Sequence, residues 1–211
     1  LKQANTQTEH LLQKWAEPFS ALAWVETGSY PKAFLDLAWK YLLQNHPHDS
    51  ICGCSIDQVD EDMMTRFSNA RQVGEELSSK ALQQIGAQID ASFLQGDETA
   101  LVVFNSLNWS RSDWVQAEVT FPVEMKVETF RLEDTQGNPI PYYLHRSEPY
   151  VHFFNPAKYL AFEKRSRFEI SFLAENLPSL GYRCYVIKPG AAPRPPATPH
   201  LLSPRQNVLE N

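Results

Sequence analysis

Long apolar runs are missing from this sequence of 211 residues. No stretch approaches the roughly 20 consecutive apolar residues that a membrane-spanning helix needs. The first residues also lack the basic, then apolar, then small-residue order of a secretory signal. These two absences predict a soluble chain without a membrane partner.

Positive charge and cysteine are also scarce. The chain has 19 Lys and Arg against 25 Asp and Glu, a net charge of −6, which argues against binding a polyanion such as nucleic acid by bulk charge. The three cysteines are an odd number, and only Gly53 separates Cys52 from Cys54. Because this spacing is too short for an easy mutual disulfide, a reducing, cytoplasmic location is the simpler interpretation.

Apolar residues are plentiful, and their spacing changes once along the chain. They make up 43% of the sequence, enough for a buried core, which excludes intrinsic disorder. Before residue 96 they recur every three or four positions, and after it they alternate with polar residues. We therefore predict an α+β chain. Residues 1–96 form a three-helix bundle, residues 97–190 an antiparallel β-sandwich, and residues 191–211 a proline-rich connector. A first residue other than Met suggests a fragment of a longer protein.

The helix boundaries can be predicted from local signals. Pro18 should kink or restart the first helix, and Gly28 should end it. A hydroxyl cap at Ser29 should begin the second helix. Ser55, followed three residues later by Gln58, has the spacing of a capping box and should begin a long third helix.

Only one segment, residues 46–54 between the second and third helices, is dense in reactive side chains. His46, His48, Cys52 and Cys54 could form a tetrahedral zinc site. However, zinc ribbons and fingers place at least two residues between paired cysteines. Alternatively, His46 satisfies backbone groups at a helix end, and both cysteines are buried as small hydrophobic residues. The residues alone leave both interpretations open.

The run from Asn45 to Asp57 resembles the His-Asp motif of glycoside hydrolase family 38, the α-mannosidases, and particularly its bacterial members. The similarity continues through Met63–Phe67, which resembles the helix after that motif. Val103–Arg111 resembles the Phe-Asn, aromatic, Arg signature that opens the family's β domain. The resemblance implies the middle helical domain and the first β domain of a longer enzyme.

This resemblance also implies a function. The parent enzyme would be a zinc-dependent, retaining α-mannosidase that hydrolyses α-mannosidic bonds and binds one Zn²⁺ ion. His48 matches the one zinc ligand that the helical region supplies, and Asp49 would bind substrate. The other ligands and the two catalytic carboxylates would lie in an N-terminal barrel. No catalytic residue is therefore expected in these 211 residues, which alone should be inactive. Gly53 matches a glycine of the motif and should adopt a positive φ, and His46 is interpreted as structural.

Two further functional hypotheses remain open. Within the family, the substrate could be a mannosylglycerate-type compound. From a different class, the chain could be a non-catalytic carbohydrate-binding or oligomerisation module. The expected partner is a mannose-containing oligosaccharide or a mannoside, and homo-oligomer formation is left open. A cluster of aromatic residues in the second half could stack on a sugar or fill the sandwich core. Its members are Tyr142, Tyr143, Tyr150, Phe153, Phe154 and Tyr159.

Overall fold

The computed structural model describes residues 1–155 and 161–191, and the chain divides after Asp90 into two compact units. The first unit is helical and the second is built from antiparallel strands. The predicted α+β class is therefore confirmed. All but the first residue of the predicted connector, residues 191–211, lies outside the described residues.

The first helical segment passes through Pro18 without ending. It consists of α1 (Lys2–Leu11), a π-helical stretch (Leu12–Ala16) and α2 (Glu17–Thr27). Pro18 has no N–H to donate, but it lies in the first turn of α2, where that loss costs least. Gly28 ends the segment as predicted, with φ of 71° and its N–H donating to the Trp24 carbonyl at 2.8 Å.

Three more helices complete the first unit: α3 (Lys32–Leu43), the one-turn α4 (His48–Ile51) and α5 (Asp57–Gly86). Both predicted hydroxyl caps are wrong. The N-cap residues are Pro31 for α3 and Ile56 for α5, and neither helix has a side-chain cap hydrogen bond. The serines lie too early in the chain, because each helix begins two or more residues after them.

The helical core lies along one face of α5. This helix has 30 residues, a length of about 45 Å, and it contacts α1, α2 and α3. Within the described residues, no helix is long and apolar enough to cross a membrane. The buried residues of the largest cluster are Leu12, Ala16, Leu35, Ala38, Leu42, Met63, Phe67 and Leu77.

The second unit is a sandwich of two three-stranded antiparallel sheets. Its strands are β1 (Thr99–Asn105), β2 (Arg111–Pro122), β3 (Phe130–Asp134), β4 (Tyr142–Asn155), β5 (Ala161–Leu177) and β6 (Gly181–Pro189). A short 3₁₀ turn (Val123–Met125) follows β2. The sheet orders are β1-β6-β3 and β2-β5-β4. Apolar and polar residues alternate along much of β2 and β5, and one core cluster draws buried residues from both sheets. Its largest fully buried members are Tyr185, Phe130, Phe172, Leu132, Ile170 and Leu177.

Close packing at Gly74 generates a stability prediction. A Cβ atom added there would lie 2.9 Å from the Cδ2 atoms of both Leu11 and Leu12. Leu12 is fully buried and cannot move aside freely. Gly74→Ala should therefore lower the free energy of unfolding by about 1–2 kcal/mol, although alanine favours the helix.

The matched control is Gly86→Ala, also in α5, where an added Cβ meets nothing within 4 Å. This variant should leave the free energy of unfolding unchanged or raise it by up to about 1 kcal/mol. Urea unfolding followed by circular dichroism at 222 nm measures both. Equal stabilisation by the two substitutions would contradict the packing described for Gly74.

Candidate functional site

The segment between α3 and α5 folds into a compact double turn. Pro47 is the N-cap of α4, and its carbonyl accepts hydrogen bonds from the N–H groups of Ser50 and Ile51, each at 3.0 Å. The helix ends at Ile51 with Cys52 as its C-cap, and Gly53 then adopts the predicted positive φ, 75°. This left-handed residue turns the chain back toward α4, so that the next N–H, that of Cys54, donates to the Asp49 carbonyl at 3.0 Å.

A buried asparagine fastens this turn to α5. Asn45 has no exposed surface. Its Nδ2 donates to the Met63 carbonyl at 3.0 Å, and its Oδ1 accepts a hydrogen bond from Arg66 Nη1 at 3.4 Å. The sequence interpretation included Asn45 in a motif but gave it no role. Its position at the end of an apolar helix, just before a His-Pro pair, was the signal available.

His46 links the turn to the first helix. Its Nε2 lies 2.7 Å from Oδ1 of Asn5, which belongs to α1. Because an amide oxygen only accepts hydrogen bonds, Nε2 must carry the hydrogen and is the donor. This contact supports a structural role for His46. Asn5 is a second residue that the sequence interpretation missed, since it is distant in the chain and belongs to no motif.

His48 and Asp49 point into solvent. Their side chains are 93% and 83% exposed, and Nδ1 of His48 lies 3.0 Å from Oδ1 of Asp49. The ionised carboxylate can only accept, so Nδ1 donates, and in the neutral imidazole Nε2 then keeps its lone pair. A histidine held in this way presents one nitrogen to a metal ion while a carboxylate fixes its tautomer.

Cys52 and Cys54 are both exposed, so the interpretation that they are buried is wrong. Their Sγ atoms lie 3.4 Å apart. A hydrogen bond and the charge of Cys52 raise the pKa of the Cys54 thiol. The two sulfur atoms therefore form a close pair on the surface of the turn.

The structure does not bring His46, His48, Cys52 and Cys54 together as the closed zinc site would require. Across residues 1–155 and 161–191, no group of three or more His, Cys, Asp or Glu side chains is placed to hold a metal ion. His46 is bonded to Asn5 and His48 to Asp49, while the two cysteines contact each other.

The β-sandwich contains a separate cavity of about 480 Å³. Trp114 and Tyr143 stand together in its wall, with ring centroids 5.9 Å apart. Its polar groups come from Asp134, Glu175, Arg183 and Tyr185. Burial raises the pKa of Tyr185, and the neighbouring Arg183 opposes that change. An aromatic wall with a few charged side chains is typical of pockets for small polar ligands.

The remaining aromatic residues of the predicted cluster divide into two groups. Tyr142 is in the core: it stacks on Phe130 with centroids 4.9 Å apart, and burial raises its pKa to about 12. Tyr150, Phe153 and Phe154 are exposed, so the core interpretation is wrong for them. Tyr159 lies outside the described residues.

Comparison with known proteins finds similarity in both units. The model of the "Alpha mannosidase middle domain" matches residues 1–85. A "Putative mannosylglycerate hydrolase" of Halalkalibacterium halodurans is 29% identical over the whole chain, which covers 25% of that relative. The mouse protein "Alpha-mannosidase 2C1" is 31% identical over 54% of the chain, covering 10% of the relative.

Solved structures extend the similarity across both units. The crystal structure of a glycosyl hydrolase family 38 protein from Enterococcus faecalis superposes with a TM-score of 0.81 at 29% identity. The match covers 90% of this chain and 24% of that one. The chain therefore spans a quarter or less of the length of these relatives.

The anchoring role of Asn45 can be tested by substitution. Asn45→Ala should lower the free energy of unfolding by about 1–3 kcal/mol, because it removes two hydrogen bonds and leaves a buried gap. The control is His46→Ala, which removes one exposed hydrogen bond and should cost no more than about 0.5 kcal/mol. Urea titration measures both. The anchoring role would be disproved by equal losses in the two variants.

Proposed function

Because this chain belongs to glycoside hydrolase family 38, we propose that it supplies the middle helical domain and the first β domain of a zinc-dependent, retaining α-mannosidase. The observation that carries this proposal is the exposed His48–Asp49 pair, held on a fixed turn inside the segment that matches the family's middle domain. The remaining parts of the active site would come from elsewhere in a longer protein.

The chemistry of His48 fits a zinc ligand. Zinc binds neutral imidazole nitrogen, and the Nδ1–H hydrogen bond to Asp49 leaves the Nε2 lone pair for the metal. A single histidine is a poor cage by itself, so further ligands are required from the proposed barrel. When bound, zinc would supply Lewis acidity toward the hydroxyl oxygens of a mannose ring.

Asp49 would bind the substrate directly. Only one of its carboxylate oxygens is engaged by His48, and the side chain is 83% exposed. The second oxygen can therefore accept a hydrogen bond from a sugar hydroxyl. Through the hydrogen bond between them, the two residues would orient each other. The carboxylate would set the tautomer of the imidazole, and the imidazole would set the direction of the free carboxylate oxygen.

The retaining reaction needs two carboxyl groups about 5 Å apart. In this proposal both belong to the N-terminal barrel, and these 211 residues alone are inactive. The similarity to a protein named as a mannosylglycerate hydrolase supports a glycerate aglycone as one candidate substrate. Exposed, free Cys52 and Cys54 support a reducing, cytoplasmic location.

A second candidate function is a carbohydrate-binding module, which the cavity in the sandwich favours. The Trp114 and Tyr143 rings could pack on the apolar face of a pyranose, and Glu175 and Arg183 could bond its hydroxyls. Such a module would bind mannosides without any contribution from a barrel. In the module hypothesis the helices could also mediate dimerisation, and analytical ultracentrifugation tests it.

The zinc-ligand assignment predicts unequal effects of two neighbouring histidines. In the enzyme that includes the barrel, His48→Ala should strip zinc and reduce mannoside hydrolysis at least 100-fold, since it removes a metal bond. His46→Ala should leave most of the bound zinc and most of the hydrolytic activity, because Nε2 of His46 is hydrogen-bonded to Asn5. Zinc is measured by plasma mass spectrometry. The assignment is wrong if the His46 variant is the inactive one.

Calorimetric titration separates the two candidate functions. With an incomplete active site, the 211-residue chain should bind methyl α-mannoside or mannobiose too weakly to measure. A module should bind them, and Trp114→Ala should abolish that binding. The control is Trp109→Ala, because Trp109 is similarly exposed but does not line the cavity. Binding that survives both substitutions would exclude the cavity as the sugar site.

A further inference from the structure

The Cys52–Gly53–Cys54 segment has a geometry that neither zinc binding nor glycoside hydrolysis uses. Its two Sγ atoms lie 3.4 Å apart, and both side chains are exposed. This separation is longer than a disulfide bond of about 2.05 Å, so ring closure requires rotation of both side chains and a small adjustment of the backbone. From this pairing we propose that Cys52 and Cys54 form a redox-sensitive dithiol, which small disulfides such as glutathione disulfide convert to an intramolecular Cys52–Cys54 disulfide.

The reaction balances without a metal ion or an enzyme. One cysteine thiolate attacks a sulfur of the small disulfide, releasing one small thiol and leaving a mixed disulfide on the protein. The second cysteine, as its thiolate, then attacks the protein sulfur of that mixed disulfide and releases the other small thiol. In total the two protein thiols lose two electrons and two protons, and the small disulfide is reduced to two thiols.

Access and backbone geometry favour this reaction. Both thiols are accessible to a bulky disulfide such as glutathione disulfide, whereas Cys184 on β6 is only partly exposed and burial raises its pKa. The residue between the reacting cysteines is a glycine with φ of 75°, and a Cβ there would lie 3.9 Å from the nearest heavy atom. Gly53 therefore leaves the backbone of the small ring room to adjust.

The short spacing determines how stable the product is. A disulfide across one intervening residue closes a small, strained ring, and strained, exposed disulfides have high reduction potentials and are labile. The same spacing that argued against a permanent disulfide thus favours one that forms and is reduced again as the ratio of thiol to disulfide changes.

The oxidised form would act on the turn that carries His48 and Asp49. The Cys52 N–H donates to the His48 carbonyl at 3.3 Å, and the Cys54 N–H donates to the Asp49 carbonyl at 3.0 Å. Closing the ring pulls on both hydrogen bonds, so the state of the two sulfurs is coupled to the backbone of α4. The disulfide itself does not depend on the proposed mannosidase function.

The test uses the 211-residue chain carrying Cys184→Ser, which leaves only the pair. Reduced protein is equilibrated with glutathione and glutathione disulfide, acid-quenched and analysed by intact-mass and peptide mass spectrometry. The expected product is 2 Da lighter, monomeric and linked between residues 52 and 54. Its equilibrium constant in the folded chain should be at least tenfold larger than in urea, because folding holds the sulfurs together.

A variant that lacks the second thiol serves as the control for disulfide formation. The variant that also carries Cys54→Ser should stop at a single glutathione adduct on Cys52 and show no 2 Da loss. The proposal is overturned if the intact pair accumulates glutathione on both cysteines, forms only intermolecular dimers, fails to react, or closes no more readily folded than unfolded.

Discussion

The candidate site depends on the hydrogen bonds of one buried side chain, the carboxamide of Asn45. It is the fully buried polar side chain at the start of the interhelical turn, and its hydrogen bonds join that turn to α5 through Met63 and Arg66. Burying a polar group lowers the stability of the fold unless the group is hydrogen-bonded. The position of the turn is therefore strongly determined. The Asn5–His46 contact fixes the same turn to α1 from the other side. Together these two contacts fix the turn that carries four exposed residues, His48, Asp49, Cys52 and Cys54.

In the proposed function, the turn supplies only part of the active site. His48 and Asp49 are hydrogen-bonded to each other and otherwise face solvent. Exposed pairs of this kind usually contribute little to stability. An imidazole with a defined tautomer and a free lone pair is useful mainly to a metal ion or a ligand. Their exposure accords with the proposed site, which other parts of a longer protein would complete. The adjacent thiol pair adds a second reactive group to the same few residues.

The sequence was sufficient for the elements with strong periodicity. The three- and four-residue spacing of Met63, Phe67, Ala70 and Val73 predicted α5, and alternation predicted the sandwich. The caps at Ser29 and Ser55 failed because capping depends on the residue at which the helix begins, and a pattern does not determine that residue to within two positions. The four ligand residues of the closed zinc site are not assembled for another reason. Proximity in sequence does not determine rotamers, and His46 contacts Asn5 while His48 contacts Asp49.

The most direct test is to locate the metal ion relative to His48. Crystals of the enzyme that includes the barrel, measured on both sides of the zinc absorption edge, should show an anomalous peak about 2.0–2.1 Å from Nε2 of His48. Asp49 should still accept the hydrogen bond from Nδ1. A zinc peak coordinated without His48, or one bound by His46 or the cysteine pair, would contradict the account.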